Sequence, residues 1–204
     1  MDTVLSSLTK EFNFSGNLPK DAAAFLNHHE CPKTATHSWQ VANTAERLAQ
    51  RFGLDQVSAA QAGWLHDISA VIPNKNRLET AQRIGLEVLP EEEEVPLLLH
   101  QKISAAIASQ LFNLRDPSVL GAIGCHTTLK PSPDQMDLLL FAADKLSWDQ
   151  KGIPPYAAAM ETALSRSLEE AAWVYQDYLW HSGKLKIIHP WMRASYQELQ
   201  TKFG

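Results

Sequence analysis

Only two cysteines, Cys31 and Cys125, occur in the 204 residues, and neither stands in a C-x-x-C spacing. A thiolate-built zinc knot is therefore not expected, and free thiols suit a reducing cytoplasm. Long apolar runs are also missing. No window offers about 18 uncharged apolar residues, so no membrane span is expected. The opening residues, MDTVLSSLTKEFNF, lack a basic region followed by an apolar stretch, so no secretory leader is expected and the chain is read as cytoplasmic. Positive charge is in short supply, with 18 Lys and Arg against 23 Asp and Glu and a formal net charge of −5. That balance argues against a nucleic-acid polymer as partner. It leaves room for a small nucleotide, because bound cations can supply positive charge locally. Alternating apolar and polar runs are absent too, so no strand is expected, and no internal repeat is found.

What the chain does have is helical periodicity throughout. Its 45% hydrophobic and 20% charged residues suit one sizeable globular domain, residues 1–204. Pro19 is expected to open a short helix. Val41, Ala42, Ala45, Leu48, Ala49 and Phe52 share one face of a helix over 38–52, closed by Gly53. A second helix is expected over 58–68, ending before Pro73. Asn74 can cap a third, with Gly85 behind it. The run PEEEEVP reads as a solvated loop. Further helices are expected after PLLL, from Pro117, after Asp134, and from Pro190 to Phe203, the last as a peripheral addition. The expected class is all-α.

Within this apolar pattern the same polar residue types recur. His37 starts the first long helix, His66 and Asp67 end the second, His100 follows PLLL, and His126 follows AIGC. Taken singly these read as helix-end, core or capping histidines. Asp144 is different, because a carboxylate inside LLLFAADKL costs several kcal/mol unless it is paired or metal-bound, by roughly the scale of burying a charge. No Arg lies one turn away, and Lys145 is its neighbour about 100° around the helix. The expected partner is another helix or a metal. Together, four imidazoles and two carboxylates suit first-row divalent metals, and the lack of thiolates favours an open, catalytic site. Six such residues are too many for one four-coordinate ion that keeps a water, and are about right for two ions sharing a carboxylate.

At these residues the chain resembles the HD-domain superfamily of metal-dependent phosphohydrolases. Adjacent His66-Asp67 is the pair from which that superfamily takes its name. The words LLLHQKISAAIAS, AIGCHTTLKPSPDQMDLLLFAADKL and LHD resemble, in order and spacing, the bacterial branch of HD-type symmetrical bis(5′-nucleosyl)-tetraphosphatases (YqeK-like proteins). The resemblance covers roughly residues 34–180 and implies a single helical HD-domain bundle. That branch usually carries an Arg before its first histidine, where this chain has KTAT. It usually has a Lys after HD, where this chain reads ISAVIP, and an Arg after AD, where this chain reads KLSWDQKGIPPY.

The resemblance implies that His37, His66, Asp67 and Asp144 hold one metal. Asp67 then bridges to a second held by His100 and His126, and is the catalytic carboxylate. Two divalent ions are implied, iron first, with manganese, cobalt or zinc as alternatives. Activity is expected to fall in acid as the histidines protonate. The implied reaction is symmetrical cleavage of diadenosine tetraphosphate to two ADP. Alternatives are another nucleotide, such as a nucleoside monophosphate, or a non-catalytic binding protein. Candidate substrate contacts are Lys102, Thr127, Thr128, Lys130 and Lys145, with Trp148 and Tyr156 as stacking candidates. His28, His29, His181 and His189 fall outside the motif and read as structural or exposed. Aromatic residues near the C-terminus raise a homodimer as a possible partner arrangement.

Overall fold

The computed structural model describes residues 3–148 and 150–204, and every regular element among them is helical. In chain order the α-helices are α1 Thr3–Ser6, α2 Leu18–His28, α3 Pro32–Phe52, α4 Gln56–Leu65, α5 Arg77–Arg83 and α6 Pro90–Glu94. They continue as α7 His100–Gln110, α8 Pro117–Cys125, α9 Gln135–Leu146, α10 Ala157–Leu164, α11 Leu168–His181 and α12 Pro190–Phe203. Several starts are set by side chains that satisfy free backbone amides. Asn17 accepts from Lys20 N, Asp55 from Ser58 N, Asp116 from Ser118 N, and Ser167 from Glu170 N. Asp134 and Asp137 form a reciprocal capping box at the start of α9.

Helix α9 is the centre of the bundle. Met136 through Ala143 are all buried, so this helix is covered on every side rather than amphipathic. It packs against α3, α4, α8 and α11. Each fully buried Leu here, such as Leu138, Leu139 and Leu140, contributes roughly 1.5–3 kcal/mol of burial. Asp144 comes directly after this run, which is how a carboxylate reaches the middle of the molecule.

Helices α3 and α4 cross in close contact, and Gly63 sets their spacing. A Cβ at Gly63 would lie 2.5 Å from Ala42 Cα and 2.6 Å from Ala42 N. Only glycine permits that approach, three residues before His66.

Several boundaries differ from those expected. Helix α3 begins at Pro32, not Ser38, because proline suits the first helical turn, so His37 lies inside the helix. Helix α4 ends at Leu65, and the chain tightens into a 3-10 turn over Ile68–Val71, leaving His66 and Asp67 at the corner. Asn74 makes no side-chain cap; it opens a 3-10 turn, Asn74–Asn76, ahead of α5. PEEEEVP is not a wholly solvated loop. It contains α6, and Glu92 is fully buried. Its carboxylate accepts from Lys102 Nζ at 2.7 Å and Leu89 N at 2.9 Å, and meets His189 Nε2 at 3.3 Å. His189, also buried, accepts from Trp191 N and so starts α12.

As expected, α12 is peripheral and packs chiefly on α11. The Trp180 and Tyr196 rings stack on one another there, with centroids 4.2 Å apart. No helix among the described residues is long and apolar enough to cross a membrane.

Candidate metal centre

The corner after α4 gives the site its shape. In a continuous helix, His66 and Asp67 would diverge by about 100°. The helix ends at Leu65 instead, and Asp67 takes φ −110°, ψ 19°. His66 Nε2 then lies 3.5 Å from Asp67 Oδ2. His37 arrives from α3, His100 from the first residue of α7, His126 from the end of α8, and Asp144 from the last turn of α9. The structure brings all six together, from five stretches of chain.

They form two groups. Ligand-type atoms of His37, His66 and Asp67 lie within 4.8 Å of one another, and so do those of Asp67, His100 and His126. Asp67 belongs to both. Asp144 sits beside the first group, its Oδ1 3.1 Å from His37 Nε2 and 3.6 Å from His66 Nε2. Asp67 Oδ1 reaches the second group at 3.4 Å from His100 Nε2 and 3.6 Å from His126 Nε2.

The donor set fits divalent cations on grounds internal to the site. His66, His100 and His126 each place Nδ1 against the carbonyl three residues earlier: Gly63 at 2.8 Å, Leu97 at 2.6 Å and Ile123 at 2.8 Å. A carbonyl only accepts, so Nδ1 carries a proton and each ring turns its Nε2 inward. This is the arrangement that orients metal-binding imidazoles. His66 Nε2 is buried and has no hydrogen-bond partner. The Nε2 atoms of His100 and His126 face each other at 3.1 Å. Lone pairs aimed at one another and at carboxylates need positive charge between them. His37, His66, Asp67 and Asp144 can hold one ion, and Asp67, His100 and His126 a second.

The electrostatics of the site point the same way. Burial opposes charge on His66, but Asp67 and then Asp144 outweigh it and raise its pKa to about 9. Burial lowers His100 to about 4, against the pull of Asp67, so that ring stays neutral. Burial alone would raise Asp67, yet His66, His126 and His100 together hold it well below the usual carboxylate range. Asp144 is likewise held low against burial, first by Lys145 and then by His37 and His66.

Lys145 provides the partner that helix geometry made unexpected. In the last turn of α9 its Nζ folds back to Asp144 Oδ2 at 2.5 Å and donates to His126 O at 3.3 Å. It also lies over the Phe141 ring, 5.1 Å from its centroid. A cavity of about 200 Å³ opens here, lined by His37, Asp67, Asp144 and Lys145 together with Ser147, Trp148, Tyr156 and Tyr175. Trp148 Nε1 is buried without a partner, and Tyr156 donates to Lys145 O at 3.2 Å.

The other candidate contacts divide. Thr127 Oγ1 is 2.9 Å from His100 Nε2, beside the second group. Thr128 is buried against Gln101. Lys102 and Lys130 line a different groove on the far side of α8, with Trp191, and are engaged by Glu92 and Asp137 at 2.7 Å each. Sequence reasoning missed Arg77, a buried cation whose charge acts on both Asp67 and His100. It donates to the carbonyls of Ile72 and Leu97. Also missed were Ser69 and Ser104, which bond each other at 2.9 Å while Ser69 Oγ donates to His100 O. Nothing in their local sequence marks them, since their partners are far along the chain.

Known proteins are similar to this chain in sequence and in fold. The family described as HD domain matches residues 34–149. A protein of Lactococcus lactis subsp. cremoris, described as an uncharacterized protein in the pepC 5′ region, is 42% identical over 74% of this chain and 77% of its own length. The symmetrical bis(5′-nucleosyl)-tetraphosphatase of Bacillus subtilis is 29% identical over 65% of this chain and 72% of its own. The protein of the same description from Staphylococcus aureus is 31% identical over 55% and 57%. A solved structure from Clostridium acetobutylicum, described as a predicted HD superfamily hydrolase involved in NAD metabolism, superposes with a TM-score of 0.79 at 23% identity. That likeness covers 90% of this chain and 97% of the other, and it shows the fold.

Proposed function

Because this chain belongs to the HD-domain family, and is related to its symmetrical bis(5′-nucleosyl)-tetraphosphatase branch, we propose that it splits a dinucleoside polyphosphate symmetrically at a two-cation centre. The coarser reading is an HD-type metal-dependent phosphohydrolase, carried by the family and the two ligand clusters. The symmetrical cleavage is supported by the relatives, and the two-cation centre by a single observation: Asp67 is common to both clusters. One carboxylate serving two three-residue groups is what a dinuclear site needs and a mononuclear one does not.

When bound, divalent cations neutralise phosphate oxygens and activate water at neutral pH. That offsets the net charge of −5 for a polyanionic substrate. Histidine and carboxylate donors suit iron, with manganese, cobalt or zinc as alternatives. The residues of the chain do the rest. Asp67 is the shared ligand. Lys145 holds Asp144 by Oδ2, leaving Oδ1 turned to the histidines. The Thr127 hydroxyl stands at the edge of the second group, placed to hydrogen-bond a phosphate oxygen. Trp148 and Tyr156 line the same cavity as the ligands and offer aromatic surface to a nucleobase.

The test is hydrolysis by purified protein with Fe(II), Mn(II) or Co(II), using diadenosine tetraphosphate and nucleoside monophosphates in parallel. ADP as the sole nucleotide product from the tetraphosphate is expected. ATP with AMP would contradict symmetrical cleavage. Turnover of monophosphates alone would move the substrate class. No turnover with any metal would leave a binding protein.

A further inference from the structure

The second ligand group is assembled from two helices that share no covalent neighbour. His100 begins α7 and His126 stands at the end of α8. One side chain ties them. Gln101, the residue after His100, is fully buried. Its Oε1 accepts from Thr127 N at 3.1 Å and Thr128 N at 3.3 Å, the two residues directly after His126. Its Nε2 donates to Thr128 Oγ1 at 3.0 Å. Both ends of the amide are thus spent on the segment that carries the other histidine.

We propose that Gln101 is a positioning residue for the second cation, fixing the His100–His126 spacing so that this ion can be held. The inference rests on the reading that Asp67, His100 and His126 bind a metal. Its physical basis is the 3.1 Å separation of the two Nε2 atoms. Two imidazoles that share one ion must keep a fixed spacing, and a buried amide clasp between their segments supplies it. An apolar residue of similar shape would fill the same volume but leave the Thr127 and Thr128 amides without this acceptor. Gln101 makes no hydrogen bond to His37, His66 or Asp144, the residues that belong to the first group and not the second.

Gln101→Met and Gln101→Glu separate the clasp from mere packing. Methionine keeps the packing and abolishes the clasp. Glutamate keeps acceptor oxygens for the same two amides and the Thr128 hydroxyl. Metal content per chain and the two Mn(II) dissociation constants are measured on protein shown by circular dichroism to be folded. Expected is a wild type with two ions and Gln101→Met with the second site loosened about 10–100-fold. The first site should be unchanged, and Gln101→Glu should hold two ions. Equal affinities in wild type and Gln101→Met would overturn the proposal, as would loss of both ions together from a folded variant. A wild type holding fewer than two ions would overturn the dinuclear reading itself, a distinct failure. If Gln101→Met does not fold, Thr128→Val removes one arm of the clasp. Selective loosening of the second ion there supports the proposal, and no change overturns it.

Discussion

The Nε2 atoms of His100 and His126 stand 3.1 Å apart, while the Nδ1 of each ring is anchored to the carbonyl three residues upstream. The anchoring removes tautomeric freedom, so the two lone pairs cannot turn away from each other. Such a pair is held at a cost that a cation or a proton relieves. His66 repeats the pattern, with Nδ1 on Gly63 O and a buried, unpartnered Nε2 near two carboxylates. The protein itself therefore orients these three rings, with Nε2 turned toward the carboxylates.

Lys145 governs Asp144. Its ammonium is the partner of Oδ2, and the Phe141 and Tyr175 rings flank it. Lys145→Met keeps most of the stem and removes the charge. Metal affinity of the first group should fall about 10–100-fold, the scale seen when the groups that orient ligands are removed. A Mn(II) titration reads this directly. An unchanged affinity would show that Asp144 needs no such support.

Glu92 makes acid stability predictable in sign. Burial alone would raise its pKa, but hydrogen bonds from His189 and Lys102 outweigh it and hold it below the ordinary 4.5. A carboxyl lowered by folding contributes stability that is complete above its unfolded value. That stability is lost as pH falls through the lower folded value. Wild-type thermal stability should therefore decline below pH 4.5, and Glu92→Gln should be less stable at neutral pH and decline less steeply in acid. Glu92→Ala should cost ~3–5 kcal/mol at neutral pH, since it strands the Lys102 ammonium. Melting curves at stepped pH check both, and a Glu92→Gln acid limb as steep as wild type would refute the assignment.

Gly63 couples packing to the site. A methyl group there meets the Ala42 backbone at 2.5 Å, and backbone does not yield as a side chain does. Gly63→Ala should destabilise by ~1–3 kcal/mol, the range for overpacking. It should also weaken metal binding, because His66 Nδ1 is anchored on Gly63 O. Full stability with full metal content would contradict the close crossing of α3 and α4.

Much of the fold is local and so is legible in the sequence. Pro117 and Asp134 announce helices because proline suits the first turn and an N-cap acts within three residues. The six polar residues are legible as a set because each interrupts an otherwise apolar pattern. Their convergence is not, since His37 and Asp144 meet across 107 residues, and only resemblance to a family suggests it. Glu92 is hidden for a related reason. A run of four glutamates looks solvated, and its partner His189 lies 97 residues away. Lys145 does not look like a partner of Asp144 on ideal helix geometry, yet a long stem in a final turn can fold back to its own neighbour. Gln101 carries no local signal, because a glutamine beside a histidine reads as surface until its 26- and 27-residue contacts are formed.

The central claim is that one carboxylate, Asp67, joins two cation sites. Metal content per folded chain, measured side by side for wild type and Asp67→Asn after loading with Fe(II) or Mn(II), tests it most directly. Two ions are expected in the wild type and loss of both in the variant, with hydrolytic activity lost alongside. A wild type with a single ion, or an Asp67→Asn protein that keeps two, would contradict it.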